Sequence, residues 1–222
     1  MVAKTNKNPK KHLVISLISA QICRQNTCCK KQNSIWLIFS IFAEMTMLTQ
    51  SERLVVRSIQ STDFEFIQRM LSNPEVMRYI RSPETDPEAV RSRIAYWKYY
   101  EAENPGLGVF MVKSRVFGQT LGYCVARHVD FKTGEDLEVG YVIAPEFAGK
   151  GYATELVLAL ADYMFGTFHV PHIVAFTDPL NAGSARVLTK AGFVASGTMQ
   201  IYDGESVYWK KEGTSEYKNA PY

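Results

Sequence analysis

The apolar positions of this chain become regular only after residue 50. Residues 54–59 pattern as a strand. Phe64, Ile67, Met70 and Leu71 then recur at helical spacing. Ser61 or Thr62 is placed to cap that helix, and Asp63 and Glu65 lie in its first turn, where negative charge suits the helix dipole. Asn73-Pro74 breaks it and opens a short second piece over 74–79, followed by a linker over 83–87. Residues 88–102 predict another helix, with Val90, Ile94, Trp97 and Glu101 on one side and Tyr96, Tyr99 and Tyr100 crowding the same element. Residues 106–115 and 120–129 predict two antiparallel strands about Phe117-Gly118-Gln119. The turn Lys132-Thr133-Gly134-Glu135 leads into a central strand, Leu137–Ile143, which Pro145 ends because proline has no N–H to give a ladder. Leu156, Leu160, Tyr163 and Met164 mark one face of a long helix. His172–Thr177 predicts a strand of β-branched and aromatic residues. Asn181 is placed to cap a helix whose face is Ser184, Val187, Leu188 and Ala191, and Gly192 ends that helix at C′. Residues 193–201 and 206–211 predict a last hairpin turned by Asp203-Gly204, a favoured two-residue pair.

Residues 1–50 read differently. They hold two apolar runs, 13–20 and 35–43, each shorter than the roughly 20 residues a membrane-spanning helix needs. They also hold three of the four cysteines, Cys23, Cys28 and Cys29, in a spacing that with His12 lacks the paired C-x-x-C geometry of a closed zinc site. A secretory signal is loosely matched by residues 1–20, ending Ser19-Ala20. Met45 and Met47 stand just before the first patterned strand. The leader therefore reads either as an over-called start or as a disordered, weakly amphipathic extension. The division expected is a leader over 1–50, a folded domain over 51–212 and a frayed polar tail over 213–222.

Charge changes the picture once. The whole chain is +3, but seven of its 25 basic residues and one of its 22 acids lie in residues 1–50. The remainder is net negative, which gives no support for nucleic-acid binding by the folded part. Cys124 is the only cysteine after residue 50, so the domain has no internal disulfide and suits a reducing compartment.

The candidate chemistry lies in Glu138–Ala153, where a strand runs into a Gly149-Lys150-Gly151 loop and then a helix. The first turn of a helix offers unpaired N–H groups and partial positive charge, and glycines let a diphosphate approach the backbone. Gly149-Lys150 is followed by Gly151 rather than Ser or Thr, which argues against a nucleotide-hydrolysing P-loop. Gly149-Lys150-Gly151-Tyr152-Ala153 ends in Thr154 with no acid at the expected distance, which argues against a dinucleotide fold. The run G-K-G-Y-A-T-E after a G-Y-x-I strand instead resembles the coenzyme A loop of the GNAT acetyltransferase superfamily. A second match is Asn181-x-x-Ser184-x-x-Val187-Leu188-x-Lys190-x-Gly192-Phe193. The branch it looks most like, RimJ/RimL-like, acetylates amino termini of ribosomal proteins.

The resemblance implies an α+β GNAT fold: a mixed, mostly antiparallel sheet flanked by helices, with central parallel strands that splay to admit acetyl-CoA. It implies an acetyl-CoA-dependent N-acetyltransferase acting on a protein amino terminus or a small-molecule amine by direct transfer in a ternary complex. A non-catalytic acyl-CoA sensor or scaffold of the same fold is the alternative. Coenzyme contacts are expected from Tyr141, Val142, Ile143, Gly149, Lys150, Gly151, Tyr152, Ala153, Asn181 and Ser184. Glu138 is the expected base, or else an ordinary surface glutamate or a group that only binds the amine; a backbone N–H near Val142 is expected to meet the oxyanion. The family's usual acid, a tyrosine, falls at Leu188, so Ser184 or a water near Asn181 must substitute. Ala148 stands where relatives carry Gln, Arg or Trp. The acceptor groove is expected to be built from residues 74–102, the turn at 130–135 and the last hairpin. No metal and no membrane attachment are expected. The protein should be cytoplasmic, as a monomer or homodimer.

Overall fold

A computed structural model describes residues 47–132, 136–202 and 204–213. The leader's cysteines and apolar runs lie outside the described residues, as do most of the turn at 132–135, Asp203 and the tail after Gly213.

The elements are β1 (Met47–Gln50), β2 (Leu54–Ser58), α1 (Phe64–Ser72), α2 (Pro74–Met77), α3 (Pro87–Glu103), β3 (Gly108–Ser114), β4 (Thr120–His128), β5 (Leu137–Ile143), α4 (Tyr152–Phe168), β6 (His172–Thr177), α5 (Ala182–Lys190), β7 (Val194–Ile201) and β8 (Gly204–Glu212). The strands form one sheet in the order β1-β2-β3-β4-β5-β6-β8-β7. All neighbours are antiparallel except β5 and β6. That parallel pair meets at a single register, Glu138 opposite Val174, whereas β4 and β5 stay paired along seven positions. Beyond Glu138 the two central strands have parted, so the sheet opens at its middle.

Two apolar clusters cover the sheet. One gathers Leu156, Leu160, Ala161 and Met164 of α4 with Leu188 of α5 against Phe110, Val112 and Val139. The other gathers Ile67, Met70, Leu71, Val90 and Trp97 from α1 and α3 against Val109, Met111 and Tyr123. Alternate residues of β3 thus face opposite clusters, as strand geometry requires.

The structure departs from the sequence expectations at several points. Among the described residues the sheet already includes Met47–Gln50, which pairs with β2 ahead of the boundary expected at residue 51. Neither Ser61 nor Thr62 caps α1. A 3-10 turn over Ser61–Asp63 precedes it, and Asp63 itself accepts the Gln60 N–H at 2.8 Å. The same carboxylate takes two hydrogen bonds from Arg57, at 2.7 and 2.8 Å, with both side chains buried. Asp63 is therefore a buried partner rather than a surface charge at a helix dipole. On α3 the third inward side chain is Tyr100, and Glu101 instead accepts a short hydrogen bond from Ser58. The hairpin turn also falls earlier than Asp203-Gly204. Ile201 pairs with Gly204, so Gly204 is already in β8 and Tyr202 takes a left-handed conformation (φ 56°). Gly213, expected to begin a frayed tail, is buried and donates its N–H to the Pro171 carbonyl at 2.9 Å.

Candidate active site

The loop that precedes α4 is built by two left-handed glycines, Gly149 (φ 74°) and Gly151 (φ 80°). A side chain at either position would cost about 1–2 kcal/mol in backbone strain. No side chain caps α4 at Gly151. Its first intrahelical bond is Glu155 N–H to Gly151 carbonyl, at 3.2 Å, so the N–H groups of Tyr152, Ala153 and Thr154 precede the ladder. This is the geometry in which a diphosphate is held. Lys150 is folded back: its ammonium donates to the Glu146 carbonyl at 3.0 Å and lies over the Phe147 ring.

The loop is tied down by the N-terminal hairpin. Glu155 accepts from the Ser51 hydroxyl (2.6 Å), the Arg53 N–H (2.8 Å) and the Arg53 guanidinium (2.6 Å). Arg53 also donates to the Lys150 carbonyl at 3.1 Å and covers the Tyr152 ring. Burial pushes the Glu155 carboxyl up. The Ser51 hydroxyl and the two Arg53 donors outweigh it and hold the carboxyl below its ordinary value.

Glu138 sits where β5 and β6 part, 6% exposed. That burial excludes a surface glutamate. Its Oε2 accepts the Tyr202 hydroxyl at 2.5 Å and an Arg127 N–H at 3.0 Å. Neither bond uses Oε1, which lies on the Gly140 side: a β-carbon built on Gly140 would stand 4.0 Å from it. Gly140, Tyr141 and Val142 line, with Glu138, a cavity of about 360 Å³. Burial raises the Glu138 carboxyl above its usual range, against the opposing pull of Arg127 and Tyr202. Arg127 is itself clamped, 3.9 Å from the Phe131 ring centroid and 5.4 Å from that of Tyr202. The Tyr202 oxygen also accepts the Asp130 N–H at 3.1 Å. A tyrosine in the left-handed region is uncommon, and here that conformation accompanies a phenol bonded to the buried carboxylate.

On the other side of the opening, Asn181 caps α5 by accepting the Ser184 N–H at 3.0 Å. The Ser184 hydroxyl meets the Tyr141 phenol at 2.7 Å. Burial pushes Tyr141 up to about 12, so it keeps its proton at neutral pH. Leu188 is 1% exposed and belongs to the core under α4. Val142 and Ile143 are half-buried on the parted length of β5. Tyr152 and Ala153 are the first two residues of α4.

Arg127, Tyr202 and Arg53 are the residues that sequence reasoning missed. Tyr202 and Glu138 are 64 positions apart, and no local pattern links them. The one available signal was an arginine on a strand beside the Glu138 strand. Among the described residues, no group of three or more His, Cys, Asp or Glu side chains could hold a metal. No helix among them is long and apolar enough to cross a membrane.

The comparisons with known proteins agree with this architecture. The family model for the acetyltransferase (GNAT) domain matches residues 53–194. An uncharacterised N-acetyltransferase, p20 of Bacillus licheniformis, is 28% identical over 154 residues, covering 69% of this chain and 85% of its own. The crystal structure of a GNAT-family acetyltransferase from Bacillus anthracis superposes with a TM-score of 0.63 at 25% identity, covering 74% of this chain and 97% of that one. The ribosomal-protein-S5-alanine acetyltransferase of Vibrio fischeri superposes at 0.62 and 22% identity, covering 75% and 96%, a likeness of fold that puts a ribosomal-protein acetyltransferase among the structural neighbours. With a family match over most of its folded part, the chain belongs to the GNAT acetyltransferases.

Proposed function

We propose that this chain moves an acetyl group from acetyl-coenzyme A to a primary amine within one ternary complex, with Glu138 as the base. The diphosphate of the coenzyme rests on the N–H groups that open α4, shaped by Gly149 and Gly151. The pantetheine arm runs into the opening between β5 and β6, past Val142, Ile143, Asn181 and Ser184. Holding amine and thioester together removes the need for a covalent enzyme intermediate.

The observation that carries the reading is the Glu138 carboxylate: buried at the base of the opening, raised in pKa, with both strong donors gathered on Oε2. Oε1 takes the proton of the attacking amine, directly or through water. The amine nitrogen bonds to the thioester carbonyl carbon, a backbone N–H near Val142 receives the oxyanion, and the carbon–sulfur bond breaks. The Ser184 hydroxyl, backed by Tyr141, gives a hydrogen bond to the departing sulfur. Leu188 has no proton to offer and is sealed in the core. The reaction is assigned to the cytoplasm, and residues 51–212, with the added strand β1, are the part that performs it.

Glu138→Gln tests it. The variant should lose about 10²-fold or more in kcat while acetyl-CoA affinity, measured by calorimetry, stays the same. A rate equal to the wild type would remove Glu138 as the base. A thermal melt of both proteins separates lost chemistry from lost fold.

A further inference from the structure

The cavity beside Glu138 is polarised. Arg78 and Arg81, which follow α2, and Arg93, from α3, line it along with Glu138. Its remaining acids, Asp178 and Glu205, come from the end of β6 and from β8. Asp178 is engaged with its own loop, accepting the Leu180 N–H at 2.7 Å. Glu138 and Arg127 answer each other. Arg78, Arg81 and Arg93 put three guanidinium groups on the helical side of the cavity.

Arg93 meets Glu84 at 4.0 Å, a long ion pair, and keeps 26% of its side chain exposed. The Tyr123 phenol, buried in the cavity wall and raised to about 12 by that burial, feels the charge of both Arg81 and Arg93. Arg81, Arg93 and the protonated phenol of Tyr123 therefore line one cavity, and each has hydrogens to donate. Such a set takes up a carboxylate or phosphate.

We propose that the acceptor is a small amine that also carries an anionic group, a carboxylate or a phosphate, which Arg81, Arg93 and Tyr123 hold while its amine faces Glu138. This rests on the acetyl-transfer reading for the identity of the amine end, and it narrows the acceptor. Polyamines and aminoglycosides bring several positive charges to a wall that already carries three arginines, and they are disfavoured there.

The test compares amines that differ only in the anion. Each free α-amino acid is set against its methyl ester, with phosphoethanolamine, a polyamine, an aminoglycoside and a peptide with an acidic amino terminus as further arms. Two readouts are taken on the full chain: thiol release from acetyl-CoA, and equilibrium binding of the amine in the presence of coenzyme A by calorimetry. At least one anionic amine should bind and turn over with a kcat/KM ten- to a hundredfold above that of its neutral counterpart. Arg81→Met and Arg93→Met should erase that preference through KM, leaving the neutral amine unchanged. Arg81 is exposed, so its variant keeps the test valid if the Arg93 variant fails to fold. Carboxylate, phosphate and peptide arms identify the source of the anion. Anion-dependent binding without turnover would uphold the anion site and overturn the acetyl-transfer reading on which its role in holding an acceptor rests. Preference for a polycation, equal use of acid and ester, or binding of none of the anionic amines would overturn this one.

Discussion

At the scale of single residues, the site turns on how Glu138 is balanced. Burial raises its pKa, while Arg127 and the Tyr202 phenol lower it, and the outcome is a carboxyl above its usual range. A base must be ionised to accept a proton, so kcat/KM should rise with pH through the Glu138 titration. Tyr202→Phe removes one of the two groups that lower that pKa. The acidic limb of the pH–rate profile should therefore move to higher pH in the variant; a limb that stays put or moves down would mean that Tyr202 does not set it. Ser184→Ala should lower kcat about tenfold, the worth of one hydrogen bond to developing charge, with coenzyme affinity little altered. An unchanged kcat would release Ser184 from any part in sulfur departure.

At the scale of elements, the coenzyme loop depends on a hairpin far from it in the chain. Ser51 and Arg53 hold Glu155, and Arg53 reaches the Lys150 carbonyl. Glu155→Gln should weaken acetyl-CoA binding about tenfold by loosening the first turn of α4, an effect on the order of 1.4 kcal/mol in calorimetry. The pH dependence has a definite sign. The folded Glu155 pKa lies below the unfolded one, so its contribution is fully present above the unfolded pKa, about 4.3. It is lost as pH falls through the folded value. The stability gap between wild type and variant should thus close on acidification, as read by thermal melts across pH; a gap that widened would contradict the assignment. The turn into α1 has a buried counterpart in Arg57 and Asp63. Asp63→Asn leaves a buried guanidinium without its charge partner and should cost about 3–5 kcal/mol in chemical denaturation. A loss under about 1 kcal/mol would show that the pair is readily replaced.

At the scale of the whole molecule, legibility followed the range of the interactions. The strand Leu137–Ile143, the two glycines and the Asn181 cap rest on neighbours a few residues away, and their patterns were readable. The parted central strands came from family resemblance alone, since no periodicity reports where two strands stop pairing. β1 escaped notice because four residues are too few to show alternation. Asp63 looked like a helix-dipole acid until the fold placed Arg57 beside it. Tyr202 was hidden twice, by its distance from Glu138 in the chain and by the expectation of a turn at Asp203-Gly204. The same long-range assembly makes the cavity: arginines of the helical layer and a glutamate of the sheet line it together only in the folded chain.

The central claim is that the opening between β5 and β6 is a coenzyme site serving an acetyl transfer. The most direct test is calorimetric titration of acetyl-CoA into the full chain, paired with thiol release on adding primary amines. Binding at one site per chain, followed by amine-dependent thiol release that Glu138→Gln abolishes, is the result expected. Absence of acetyl-CoA binding would contradict the account at its base.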